Sequence, residues 1–144
     1  MTNATARKFG HPNTLIAETE HWLVLLRPQQ PTFGALVLVC KEAATAFSDL
    51  SPGAFADLKT AVDGIEALLR HTVAYERINY LMLMMVDPDV HFHVLPRYQG
   101  ERTHGGHTFA DAGWPGPPAL ASHVALSEEE ASALAADFAA RWRA

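Results

Sequence analysis

Two histidines and an aspartate alternate with apolar residues at positions 87–97, which read Asp-Pro-Asp-Val-His-Phe-His-Val-Leu-Pro-Arg. In a strand, successive side chains point to opposite faces of the sheet. Asp89, His91 and His93 would then share one face, and the apolar residues between them would enter the core. An imidazole can act near neutral pH as a nucleophile, as a general acid or base, or as a metal ligand. The spacing therefore fits a catalytic pair, a metal site completed by Asp89, or a pair of surface histidines.

Short apolar runs bounded by proline and glycine predict the strands that position this pair. We expect strands at Trp22–Leu26 and residues 35–40, a weaker edge strand at residues 14–17, and further strands at residues 78–86 and 90–96. Residues 78–86 are almost all apolar, so we expect both faces of that strand to be covered. The stretch at residues 98–118 is rich in glycine and proline and is predicted to be loop.

Capping residues and apolar periodicity indicate two helices. Ser51 and Pro52 fit an N-cap followed by proline at the first helical position. Apolar residues then recur at spacings of three and four, and we expect this long helix to end near residue 75. Ser127 and Glu130 match a capping box, which predicts a C-terminal helix over about residues 127–143.

Length and composition limit the class of protein. The 144 residues fit one domain over residues 1–144, with a core at about residues 14–114. The formal net charge of -5 argues against a duplex nucleic-acid partner, which would require a basic surface. The single cysteine, Cys40, excludes an internal disulfide and a cysteine-based zinc site. Neither a signal peptide nor a membrane-spanning run is visible, so we expect a cytoplasmic protein with no membrane partner.

Residues 91–98, His-Phe-His-Val-Leu-Pro-Arg-Tyr, resemble the second half of the histidine triad motif. That motif is His-φ-His-φ-His-φ-φ followed by Pro-Arg, where φ is an apolar residue. The upstream order of a strand pair around Pro-Gln-Gln-Pro at residues 28–31, a long helix and a further strand is also similar to the histidine triad family. The resemblance covers about residues 15–114. It implies an α+β fold with an antiparallel five-stranded sheet, usually paired into a homodimer.

The resemblance also implies an activity and roles for particular residues. Family members bind nucleotides and hydrolyse or transfer nucleoside monophosphates from dinucleoside polyphosphates or nucleoside phosphoramidates. His91 matches the middle histidine, which attacks the α-phosphorus and forms a nucleotidyl-histidine. His93 matches the last histidine, which contacts the phosphate, and the backbone carbonyl of Asp89 is expected to accept a hydrogen bond from His91. This scheme requires neither a metal ion nor another cofactor.

Three further residues are predicted to bind substrate. Asn79 matches a polar position of some relatives, and Asp89 occupies the position of the first motif histidine. Arg97 follows the strand closely enough to attract a phosphate.

The chain departs from the family pattern at three places. Asp89 replaces the first histidine, and its charge is expected to raise the pKa of nearby imidazoles and to repel a phosphate. Met84, Met85 and Val86 stand where many relatives place donors to the phosphate. Leu25 stands where many relatives keep an aspartate for the ribose hydroxyls. These departures support an alternative, a nucleotide-binding protein with reduced turnover.

Overall fold

The computed structural model describes residues 3–143. Within that range there are three helices, α1 (Ala4–Lys8), α2 (Pro52–Thr72) and α3 (Glu128–Arg141). The strands are β1 (Leu15–Glu18), β2 (Trp22–Leu26), β3 (Gln29–Gln30), β4 (Leu36–Cys40), β5 (Arg77–Leu81), β6 (His91–Arg97), β7 (Glu101–His104), β8 (His107–Ala110) and β9 (Val124–Ala125). None of the helices described is long and apolar enough to cross a membrane.

A five-stranded sheet forms the centre of the fold. Its strand order is β1-β2-β4-β6-β5, and every adjacent pair is antiparallel. Two small sheets, β3-β9 and β7-β8, lie outside it. The long helix α2 and the C-terminal helix α3 complete the structure, which confirms the predicted α+β fold with an antiparallel five-stranded sheet.

The two faces of the large sheet are covered differently. On one face, alternate residues of β2 and β4 join a large buried cluster with α2 and α3. On the other face, Ala6 of α1 packs into a smaller cluster with four strand residues: Leu23, Leu25, Val37 and Val39. His91 and His93 of β6 share this second face, because they pair laterally with the valines of β4. The short helix α1 therefore lies on the face that carries the histidines.

The predicted helix starts are confirmed. The Ser51 hydroxyl accepts a hydrogen bond of 3.1 Å from the Ala54 amide, and Pro52 is the first residue of α2. Ser127 and Glu130 form the reciprocal capping box of α3, with distances of 3.1 and 2.9 Å. The long helix ends at Thr72, three residues earlier than predicted, because Ala74 has a φ of 54°, which lies in the left-handed region.

The prediction of a strand over residues 78–86 is wrong in its second half. β5 ends at Leu81, and Met84 has a φ of 51°, which is incompatible with an extended strand. The chain leaves the sheet there, and Met85 and Val86 are 87% and 82% exposed. The expectation that both faces of this segment are covered is therefore also wrong.

The prediction of loop at residues 98–118 missed a hairpin. β7 and β8 are joined by Gly105 and Gly106, whose φ values are 57° and 81°. A two-residue turn of this kind needs positive φ at both positions, and two glycines adopt it without strain. The Gly-Gly pair between segments rich in threonine and histidine was the sequence signal for this turn.

Candidate functional site

His91 and His93 lie side by side on β6, on the sheet face that α1 covers. Their ring centroids are 5.2 Å apart, and the ring planes are nearly perpendicular, at 87°. Their lateral neighbours on β4 are Val39 and Val37, so the pair stands on an apolar base. Only 2% of His91 and 8% of His93 is exposed. This burial contradicts the interpretation of the two residues as surface histidines.

The backbone determines which nitrogen of His91 carries the proton. Nδ1 of His91 lies 2.7 Å from the carbonyl oxygen of Asp89. Since a carbonyl oxygen only accepts hydrogen bonds, Nδ1 must be the donor. In the neutral ring Nε2 then holds a free lone pair, which a nucleophile or general base requires. This is the contact that the family resemblance implied.

His93 is held in the neutral state by its surroundings. Burial lowers its pKa to about 4, and the charges of Arg27 and His91 act in the same direction. Asp87 opposes this shift and Lys8 adds to it. His93 can therefore offer one N–H to a ligand at pH 7, but not a positive charge. Its Nδ1 is buried and has no hydrogen-bond partner within residues 3–143.

Asp89 lies just before β6, and its carboxylate is held by α1. It accepts hydrogen bonds from the backbone amide of Thr5 at 3.2 Å and from the Thr5 hydroxyl at 2.9 Å. The expectation that Asp89 raises the pKa of nearby imidazoles is wrong for His93, where burial decides the direction. Across residues 3–143, no group of three or more His, Cys, Asp or Glu side chains is placed to hold a metal ion. The metal site of Asp89, His91 and His93 therefore lacks the geometry it needs.

A cavity of about 220 Å³ lies next to Phe9. Its walls are Lys8, the last residue of α1, Phe9, which follows the helix, and the connection between β2 and β3, residues 27–29. The Phe9 ring also packs edge-on against His93, with centroids 5.6 Å apart. Burial lowers the pKa of Arg27, whose Nε has no hydrogen-bond partner in the described part of the chain. Because a guanidinium stays protonated in proteins, this cavity has a partly desolvated cation in its wall.

Arg97 and Asn79 are brought together, but not at the histidines. The Arg97 guanidinium binds both carboxylate oxygens of Asp111, at 2.6 and 3.0 Å, and donates to Asn79 Oδ1 at 2.7 Å and to the Gly116 carbonyl at 2.9 Å. Six residues along a strand span about 20 Å, which separates Arg97 from His91. These contacts commit Arg97 and Asn79 to protein partners.

The structure also shows where the other two departures from the family pattern lie, at Leu25 and at residues 84–86. Leu25 is fully buried in the cluster beneath α1, in the same lateral row of the sheet as Val37 and His93. No polar group for a ribose hydroxyl is present at that position. Met85 and Val86 are exposed on the loop between β5 and β6.

Sequence reasoning missed the contribution of α1 and of Arg27. Asn3 caps α1 by accepting a hydrogen bond of 2.8 Å from the Ala6 amide, and basic residues occupy its last turn. These are helix signals, but a five-residue helix is too short for an apolar period to show. Arg27 lies in the Pro-rich connection, which the sequence marks only as a turn.

Comparison with known proteins identifies the family. Residues 8–100 match the model of the HIT domain, the histidine triad domain. Solved structures with a similar fold include a histidine triad protein from Bradyrhizobium japonicum (18% identity, TM-score 0.72, covering 98% of this chain and 96% of that one). Another is a histidine triad protein from Sinorhizobium meliloti 1021 (23% identity, TM-score 0.72, covering 96% and 93%). A third is the diadenosine triphosphate hydrolase of Plasmodium falciparum, solved with cyclomarin A (10% identity, TM-score 0.66, covering 90% and 76%). No curated protein sequence matches the chain.

The chain belongs to the HIT family, because the domain model covers well over half of its residues. Family and fold together indicate a nucleotide-binding protein of the HIT type. Most of α1 lies upstream of the matched region, which begins at Lys8, whereas Phe9, which packs against the histidines, lies within it.

Proposed function

We propose that the protein is a nucleotide hydrolase or nucleotidyl transferase that acts through a covalent nucleotidyl-His91 intermediate. Its substrate is a nucleoside phosphoramidate or a dinucleoside polyphosphate. The observation that carries this proposal is the 2.7 Å contact between Nδ1 of His91 and the Asp89 carbonyl. That contact leaves Nε2 unprotonated and fixes the ring plane, as a nucleophilic imidazole requires.

The proposed reaction gives each histidine of the pair the role that the family resemblance implies. Nε2 of His91 attacks the α-phosphorus, an N–P bond forms, and the bond to the leaving amine or phosphate breaks. Water or another acceptor then attacks the same phosphorus, breaks the N–P bond and releases the nucleoside monophosphate. Neutral His93 donates its N–H to a phosphoryl oxygen while charge gathers there. The net hydrolysis consumes one water.

The surroundings of the pair support an anionic substrate. The Arg27 guanidinium lines the adjacent cavity, and one of its nitrogens is unpaired among the described residues. A partly desolvated cation attracts an anion more strongly than a solvated one does. The fold shared with a diadenosine triphosphate hydrolase agrees with a substrate of this class. Asp89 acts in this proposal through its backbone carbonyl, whereas the side chains of Asn79 and Arg97 are bound to the protein itself.

We propose that the protein is a single domain, forms a homodimer and acts in the cytoplasm. The support is the family resemblance of residues 15–114 and the order of the elements. Size-exclusion chromatography with light scattering tests the dimer, and a monomer at micromolar concentration would contradict it.

A nucleotide-binding protein with little turnover is the second candidate. The burial of His91 and the apolar Leu25 at the ribose position favour it. The two candidates differ in whether a covalent intermediate forms.

Intact-mass spectrometry tests the proposal directly. Wild type, His91→Ala and the control His123→Ala, which changes an exposed loop histidine, are incubated with diadenosine polyphosphates and adenosine phosphoramidate. Nucleotide release is followed by chromatography in the same samples. We expect release and a transient mass gain of one nucleotidyl group in wild type and in His123→Ala. Loss of the nucleophile should reduce release by at least about 1,000-fold in His91→Ala. Equal release by His91→Ala would contradict the proposal, and binding without release in all three proteins would favour the second candidate.

A further inference from the structure

The short helix α1 lies on the sheet face of the histidines that the proposed chemistry uses, and Phe9, the residue that follows it, packs against both rings. Ala6 is fully buried against the sheet, and the Phe9 centroid lies 5.6 Å from that of His93 and 6.5 Å from that of His91. Beneath this cover, His91 is 2% exposed. A substrate phosphorus must come within about 3.5 Å of Nε2 of His91 for attack. Access to the nucleophile therefore depends on where α1 lies.

The position of α1 depends on its contacts with the rest of the chain. The helix has five residues, and isolated helices of this length are not stable in water. Besides capping its own helix, Asn3 donates a hydrogen bond of 3.0 Å from Nδ2 to the carbonyl of Cys40, at the end of β4. Two further polar contacts of α1 come from the loop that leads into β6.

That loop holds α1 at both ends. At the C-terminal end, Lys8 Nζ lies 2.8 Å from Asp87 Oδ1, but Lys8 is half exposed, so this pair contributes little. At the N-terminal end, the Asp89 carboxylate accepts both the amide and the hydroxyl of Thr5. A carboxylate at the first turn also interacts favourably with the helix dipole. The contact between Asp89 and Thr5 is thus the stronger of the two.

We propose that Asp89 is a positioning residue, which holds α1 across His91 through Thr5 and thereby limits the size of the nucleotide that reaches this histidine. The inference rests on the proposed function. A nucleoside phosphoramidate or monophosphate ends close to its α-phosphorus, whereas a dinucleoside polyphosphate continues into a second nucleoside, which needs further space beside His91. The residue that replaces the first triad histidine therefore controls access instead of contacting the phosphate.

Thr5→Val tests this role because it removes the hydroxyl and leaves Asp89 and the histidines unchanged. Thr5→Ser, which keeps the hydroxyl, is the matched control, and Asp89→Asn is a second variant that removes the charge. Three properties are measured on the folded, full-length proteins: the rate of trypsin cleavage after Arg7 and Lys8, the pKa of His93 by NMR, and the binding of adenosine monophosphate and of a diadenosine polyphosphate. The two binding constants require no turnover.

We expect Thr5→Val to accelerate cleavage after Arg7 and Lys8 by about tenfold, since the loss of a hydrogen bond to a charged group opens α1 more often. The pKa of His93 should rise from about 4 toward its ordinary value of 6.5 as the ring becomes solvated. The ratio of the two affinities should shift by at least about threefold in favour of the dinucleotide, because a lost cover removes a steric limit. Thr5→Ser should match wild type in all three measurements.

Unchanged cleavage and unchanged pKa in both Thr5→Val and Asp89→Asn would show that Asp89 does not hold α1. A released α1 with an unchanged affinity ratio would show that the cover does not limit substrate size. A shifted ratio in proteins that never release nucleotide would support this inference and contradict the proposed hydrolase activity.

Discussion

The two ends of β6 carry polar side chains on the same face of the sheet, but only one end has these side chains paired by hydrogen bonds within the protein. At one end, Nδ1 of His93 is buried without a partner among the described residues. At the other end, the Arg97 guanidinium donates four hydrogen bonds to three residues: Asn79, Asp111 and Gly116. Both ends are buried, so the difference lies in the pairing of polar groups and not in exposure.

This difference separates a structural site from a reactive one. A buried polar group without a partner costs free energy, and native proteins keep few of them. The Arg97 end has its polar groups paired within the protein and connects β5, β6 and the segment at residues 111–116. Among the described residues, the histidine end retains buried nitrogens without a hydrogen-bond partner on His93 and, in the nearby β2-β3 connection, on Arg27. We therefore expect substitutions at the Arg97 end to change stability, and substitutions at the histidine end to change chemistry and pH dependence.

Arg97→Met should cause the largest loss of stability. It leaves the Asp111 carboxylate, whose side chain is 1% exposed, buried without its charged partner. Removing one member of a buried ion pair typically costs about 3 to 5 kcal/mol. Urea denaturation measures the change, and Lys8→Met, which breaks the half-exposed pair with Asp87, is the control with an expected cost below about 1 kcal/mol. Equal costs for the two variants would contradict the assignment of the Arg97 end as structural, and the double variant Arg97→Met, Asp111→Leu should recover part of the loss.

His93 should make stability depend on pH. Its pKa is lowered from 6.5 to about 4 in the folded protein, so between these values the unfolded chain binds more protons than the folded one. The free energy of unfolding should therefore fall as the pH drops, by about 2 kcal/mol between pH 7 and pH 5. Above pH 7.5 this contribution should be constant.

The measurement is urea denaturation of wild type and His93→Gln at pH 7 and pH 5. Subtracting the two proteins removes the contributions of the other seven histidines, which both share. The same pH slope in both proteins would show that His93 is not the neutral, buried ring described above.

The sequence predicted the parts of this comparison that depend on local geometry. His91 and His93 share a face because side chains alternate along a strand. The Asp89 carbonyl accepts a hydrogen bond from His91, which is only two residues away in the sequence. Apolar periodicity and capping residues likewise located both long helices. These features depend on spacings of a few residues, which a single sequence displays.

Long-range pairing could not be predicted in the same way. Thr5 and Asp89 are 84 residues apart, and Arg97 meets Asp111 only because the β7-β8 hairpin returns the chain. The sequence favoured a phosphate as the partner of Arg97, because nothing in the sequence indicates that the Asp111 carboxylate lies next to Arg97 in the fold. His93 likewise packs against Phe9, which follows α1, a helix too short to be recognised as an element.

Asn79→Ala should change stability less than Arg97→Met or the protonation of His93. It also distinguishes two roles of Asn79, as a partner of Arg97 and as a substrate-binding residue. In the structure its Oδ1 accepts a hydrogen bond of 2.7 Å from Arg97, and the residue is only partly buried. Water can replace part of that contact, so we expect a loss of about 1 kcal/mol in the free energy of unfolding. Asn79→Asp, which keeps an acceptor oxygen for Arg97, should retain most of the stability.

The kinetic measurement on the same variant decides whether Asn79 also binds substrate, as the sequence predicts. Asn79 pairs with Leu95, about 14 Å along β6 from His91, and its side chain is committed to Arg97. Its replacement should therefore leave KM for a nucleoside phosphoramidate within about twofold of wild type. A several-fold rise in KM with stability retained would mean that Asn79 turns from Arg97 to the ligand when substrate binds. In that case the polar network at the Arg97 end would extend to the site, and the division of β6 into a structural end and a reactive end would have to be given up.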